Sequence, residues 1–188
     1  MKKVFAVTCL IGLATTAVGQ NTKSAQKPSS DTTSLEVTLK LIQDKVNEQG
    51  EISYTMTSQN TIHGGTVEDQ YAVETAHAIA DPHSCTLEVG VRMVMNGKTQ
   101  FQGRAGLHFR DLTAMAVKTQ TQAIDEKTTK MGVTGWRGKV DPESYIVQSF
   151  QSNSLAGMFF FRKPETANVV AKAMSRAIEL CGGKKATF

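Results

Sequence analysis

Three stretches of the chain hold residue types that could do chemistry. It ends in "MSRAIELCGGKKATF", where Cys181 is followed by two glycines and two lysines. A thiol beside lysines can be an activated nucleophile, and glycines before a lysine can cradle phosphate. The phosphate pattern fails on spacing. Ile178 stands where the first glycine is needed, Lys185 replaces the required Ser or Thr, and no helix follows. The glycines read instead as a helix stop, with Lys184 and Lys185 facing the helix's negative end.

The second stretch is "AHAIADPHSC", which gathers His77, His83 and Cys85. These are zinc-ligand types, but the spacing matches no finger or zinc-enzyme motif and fixes no carboxylate partner. His77 reads as a strand histidine and His83 as a turn histidine; His63 and His108 read as structural. No metal or cofactor is expected. The third stretch, "GMFFFRK", sets Phe159, Phe160 and Phe161 in a row. Side chains alternate across a strand, so Phe159 and Phe161 share one face and Phe160 takes the other. One face meets the core. The other is either covered by a helix or left as a ligand or partner surface.

No catalytic residue is assigned. A Cys–His nucleophile pair needs a positioned base and an oxyanion hole, and no spacing supplies either. The Gly-x-Ser-x-Gly elbow of serine hydrolases is absent. Gly132, Gly135 and Gly138 recur every third residue without the dinucleotide pattern around them and read as strand bends beside Trp136.

The first residues, "MKKVFAVTCLIGLATTAVGQ", begin with two lysines, continue in an apolar run, and place Ala17 and Gly19 before a cut at Gln20. This is the pattern of a signal peptide over 1–19, so the chain is expected to be exported, periplasmic or secreted, with no stable membrane insertion after cleavage. Cys9 leaves with the leader, and Cys85 and Cys181 remain. An even count in an oxidising compartment points to one disulfide, with two buried thiols or a redox pair as the alternatives. Such a bridge would stabilise by about 4–5 kcal/mol in the chain-entropy account. Loss of Lys2 and Lys3 leaves 19 basic residues against 17 acidic ones, a formal charge of +2. That is no electrostatic footprint for nucleic acid or anionic lipid.

Residues 20–33 have no large apolar side chain and read as a disordered spacer. Residues 34–185 then form one domain, long enough for a single core. Leu35, Leu39, Ile42 and Val46 fall at helical spacing, with Thr33 and Glu36 as a capping box and Gly50 as the stop. From "EISYTMTS" the period becomes two. "YAVETAHAIA", "CTLEVGVRMVMNG" and "KTQFQGRAGLHF" follow, the last two joined at Asn96-Gly97, a strong hairpin signal. "TAMAVKTQTQ", "GVTGWRGKV", "SYIVQSF" and "GMFFFR" are further short strands. "KPETANVVAKAMSRAIELCGG" returns to helical spacing, with Pro164 in the first turn and Cys181 as the last residue of its apolar stripe. The fold class is α+β: an N-terminal helix, a curved antiparallel sheet or partial barrel of seven or eight strands, and a closing helix.

An aromatic last strand running straight into a closing helix resembles the pleckstrin-homology-like fold. "SLEVTLKLIQDKVNEQGEISYT", "DPHSCTLEV" and "FRKPETANVVAKAMSRAIELCGGKK" resemble segments of uncharacterised exported bacterial proteins associated with that fold. The resemblance implies the fold and carries no activity. Pleckstrin-homology domains that bind inositol phosphates have basic first strands and a Trp in the last helix. Here "EISYTMTS" and "YAVETAHAIA" lack a basic residue, and Trp136 lies in a strand region.

The reading is therefore a non-catalytic binding or interaction module for a protein or an apolar small ligand, without nucleic-acid partners. An envelope enzyme using His and Cys, and a structural or assembly component of the envelope, are the alternatives. An intact-mass measurement on exported protein without reductant is expected to show a chain starting at Gln20 and lighter by the two hydrogens of a bridge. Two alkylatable thiols would refute the bridge, and a chain retaining Met1 would refute the leader.

Overall fold

The computed structural model describes residues 30–60, 62, 64–130 and 136–183. The leader, most of the spacer, His63, Gly132, Gly135, Lys184 and Lys185 lie outside these, as does the Trp136 side chain. Among the described residues the chain forms three α-helices and eight strands. Helix α1 (Ser30–Gln49) leads into β1 (Glu51–Asn60), β2 (Thr66–Asp81), β3 (Thr86–Met95) and β4 (Lys98–His108). A 3-10 turn at Phe109–Asp111 precedes β5 (Ala114–Thr119), α2 (Gln120–Lys130), β6 (Trp136–Asp141), β7 (Tyr145–Gln151), β8 (Ser154–Phe161) and α3 (Pro164–Leu180).

The expected single curved sheet is divided. Five strands form one antiparallel sheet in the order β4-β3-β2-β1-β6, and three form a second in the order β5-β7-β8. No closed barrel results. The division follows from the 3-10 turn, where Phe109 is fully buried and turns the chain out of the first sheet before β5 begins. "TAMAVKTQTQ" is strand only to Thr119, and Gln120 starts α2. This helix escapes the sequence pattern because it is polar almost throughout. Its Ile124 docks on β6 at Gly138, where an added Cβ would lie 2.8 Å from the Ile124 side chain. Helix α1 starts at Ser30, so Thr33 lies inside it rather than at its cap.

Local chemistry explains the remaining joints. Asn96 and Gly97 both take positive φ, as a tight hairpin between β3 and β4 requires. Gly50 does the same between α1 and β1. Because β1 begins opposite Glu74, the rest of β2 runs past it. Helix α1 takes the place of the missing strand there. Asn47 accepts from Ala78 N at 2.8 Å and donates to Ala78 O at 3.1 Å, and Gln43 accepts from Ala80 N at 2.8 Å. These bonds satisfy backbone that the sheet leaves open.

Helix α3 closes the core. Ala167, Val170, Ala171, Ala173, Met174, Ala177 and Ile178 are buried along it, and it packs on α1, β5, β7, β8 and the 3-10 turn. Four alanines let neighbouring elements approach closely. Replacement of Ala177, fully buried, by Leu is expected to cost about 1–3 kcal/mol through overpacking. Lys172→Leu, on the exposed side, should stay within about 0.5 kcal/mol of wild type. Urea melts of both variants check this, and equal losses would contradict it.

Candidate functional site

Each residue singled out by its chemistry now has a place. Cys85 and Cys181 meet at disulfide distance, with Cα atoms 5.9 Å apart at a sequence separation of 96. Cys85 sits at φ 57°, in the left-handed region that non-glycine residues seldom adopt, after the turn from Asp81. The Asp81 carboxylate accepts from His83 N at 2.9 Å and from Ser84 Oγ at 2.6 Å. These bonds hold Asp81 below the ordinary carboxylate range. Cys181 ends α3 as expected. Its N–H donates to Ala177 O, and Gly182, at φ 79°, begins the stop. Arg110 Nε donates to the Cys181 carbonyl at 3.1 Å, fastening the helix end beside the 3-10 turn.

The histidines do not assemble. His77 is exposed at φ 53°, in a β-bulge between Ala76 and Ile79, with Gly90 opposite. An added Cβ at Gly90 would lie 3.1 Å from Ala76 O, a tight approach beside the bulge. His83 lies in an exposed turn and His108 at the exposed end of β4. Among the described residues no three His, Cys, Asp or Glu side chains gather to hold a metal.

The phenylalanine run divides as strand alternation requires, but it does not supply a surface. Phe159 is 2% exposed and Phe161 1%, both in the main core with Val147, Met174 and Ile178. Phe160 is half-buried and packs against a second cluster built on Ile52, Tyr54, Val73 and Val140, which Met56, Tyr71, Met93 and Ile124 also join. Of the three, only Phe160 retains partial access to solvent.

That second cluster has the functional interest, because its cover stops short. Register puts Ile52, Val73, Met93 and Phe101 in one row across β1, β2, β3 and β4. Phe160 lies against the inner members, whereas Phe101, at the end of the row, is 48% exposed. On β8, Met158 shares the face of Phe160 and is 42% exposed, and Leu155 nearby is 49% exposed. β4 and β8 are edge strands of their respective sheets. They close on each other at Gly157, where an added Cβ would lie 3.0 Å from the Leu107 side chain. Away from that point the apolar margin is open.

Two polar features border the cluster. Tyr54 and Tyr71 stack with ring centroids 5.2 Å apart and planes 10° apart. Gln120 and Ser144 are buried beside β1, with Ser144 Oγ 2.5 Å from Gln120 Oε1, and Gln120 hydrogen-bonds Tyr54. On the opposite face of the same sheet lies a shallow groove of about 390 Å³, bordered by Ser53, Thr55, Gln70, Val94 and Asp141. Tyr54 and Tyr71 line it as well, with Ala72 and Pro142.

Sequence reading missed Phe101, Met158 and Leu155 as surface. Phe101 alternates like a core residue, and only the width of the covering sheet decides its exposure. No family model, curated protein or solved structure matches the chain.

Burial raises both Tyr54 and Tyr71 above the ordinary tyrosine value of 10.0, with the negative charges of Tyr71 and of Asp69 adding respectively to each. A raised folded pKa means that the unfolded chain loses its tyrosine protons first. The contribution is therefore fully present below pH 10.0 and is lost as pH rises through the folded values. Denaturant melts above that pH are expected to show a decline that is smaller in Tyr54→Phe and Tyr71→Phe. An unchanged decline in both variants would contradict the assignment.

Proposed function

We propose that this chain is a non-catalytic interaction module of an exported protein, and that it receives an apolar group at the margin formed by Phe101, Met158 and Leu155. One observation carries the reading. A core cluster with aromatic members continues to the surface at the uncovered edges of two sheets. Apolar side chains so exposed beside a continuous core are the usual mark of a contact surface.

Export is part of the proposal. It rests on the leader pattern and on two cysteines brought together across 96 residues, and we take them to be bridged. The pleckstrin-homology-like assignment is likewise proposed. Two antiparallel sheets and an aromatic last strand entering a closing helix support it. The pairing of β6 beside β1, and the helix α2, are additions to the helix, meander and closing helix expected from sequence.

Phe101→Asp and Met158→Asp are expected to leave folding intact, because both sites are open, and to abolish capture of whatever envelope component the wild-type domain retains. Native mass spectrometry of protein purified from its own compartment separates the two occupants. A bound small compound would point to a ligand, and a bound polypeptide to a partner. Capture that survives both substitutions would overturn the reading.

A further inference from the structure

The free edge of β4 lies along this margin, and its backbone states what chemistry it would accept. Phe109 N donates to Cys85 O at 2.9 Å, which sets the phase of the β3–β4 ladder. The pairs Leu87 with Leu107, Val89 with Ala105 and Val91 with Gly103 then exchange both bonds. The alternate residues Gln102, Arg104 and Gly106 turn their N–H and C=O groups away from β3. No strand lies beyond β4 in the sheet, and among the described residues no side chain caps those three.

Natural edges are usually blunted by inward charges, prolines or bulges. β4 has a bulge at Gln100 and sets Lys98 on the inner face opposite Met95; beyond them Phe101, Gly103 and Ala105 stand along that face, with no charge and no proline. The Phe101 ring lies over Gly103, where an added Cβ would sit 3.2 Å from Cζ. An added strand would find an aromatic platform at one position and space beside Ala105 at the next. On the outer face Arg104 is exposed, held only by Glu88 at 3.7 Å. β4 also carries Lys98 and contains no acidic residue.

Resting on the contact margin proposed above, we propose that the partner is an extended polypeptide strand, alternating apolar and acidic residues, that adds to β4 along Phe101–Gly106. Its main chain would bond Gln102, Arg104 and Gly106, its apolar side chains would meet Phe101 and Met158, and its carboxylates would meet Arg104. Charge disfavours a second copy of this chain in the same place. Antiparallel pairing of Gln102, Arg104 and Gly106 of two copies would set Arg104 opposite Arg104 with no acid on either strand.

The test selects a displayed library of random ten-residue peptides on the folded exported protein. Selected peptides are then synthesised and added while amide exchange is followed. They are expected to alternate apolar and acidic residues and to slow exchange at Gln102, Arg104 and Gly106 by at least about tenfold. Gln102→Pro removes an outward N–H without removing a ladder bond to β3, and should weaken binding about tenfold or more. Arg104→Glu should do the same for acidic peptides while leaving the backbone unaltered, which covers the case where Gln102→Pro fails to fold. Binding lost in Phe101→Asp but kept in both β4 variants would overturn strand addition and leave the contact margin standing. Binding unaffected by all three would overturn both. Selection of no peptide, or slowed exchange at these amides in the chain alone with rising concentration, would overturn the peptide partner, the latter in favour of a second copy.

Discussion

The structure depends on the burial of α3. Its small and branched side chains are covered from α1 on one side and from β5, β7 and β8 on the other. Neither α1, with a single apolar stripe, nor the three-stranded sheet could keep a core dry alone. With α3 between them, Leu39, Ile42 and Val46 of α1 join Val147, Phe159 and Phe161 of the second sheet in one continuous cluster. The helix end is fixed as firmly as its middle, through the Cys181–Cys85 contact and the Arg110 bond to the Cys181 carbonyl.

This arrangement also explains why the other half of the first sheet remains incompletely covered. α1 and α3 take the end around Ala78, Leu87, Val89 and Leu107. The other end is left to Phe160 of β8 and Ile124 of α2. Met93 joins the same cluster, whereas Phe101, next in its row, is 48% exposed. The open margin is thus a geometric consequence of a three-stranded sheet lying over a five-stranded one. The proposed contact is placed at this margin because the groups left open there are apolar side chains and strand backbone.

Much of this was legible in the sequence. The two helical stripes, the period-two runs and the Asn96-Gly97 turn are local signals, and local signals fixed all eight strands and both terminal helices. The Cys85–Cys181 approach followed from an even count and from two apolar faces. What stayed hidden is non-local. Helix α2 has no stripe to read, because it needs only Ile124 to dock. The split into two sheets depends on where Phe109 is buried. The phenylalanine run drew attention by composition, yet Phe159 and Phe161 went into the core. The exposed partner was Phe101, whose neighbours in sequence give no sign that the cover ends before it. His77, read as a strand histidine, stands in a bulge that its sequence neighbours do not announce.

The most direct measurement is residue-resolved amide exchange of the isolated protein. The account predicts the slowest exchange in α3 from Val170 to Ile178, at the rate of global unfolding, together with fast exchange at Gln102, Arg104 and Gly106 on the outer side of β4. Exchange in α3 faster than in the β2–β3 ladder, or protection of those three β4 amides in the monomer, would contradict it.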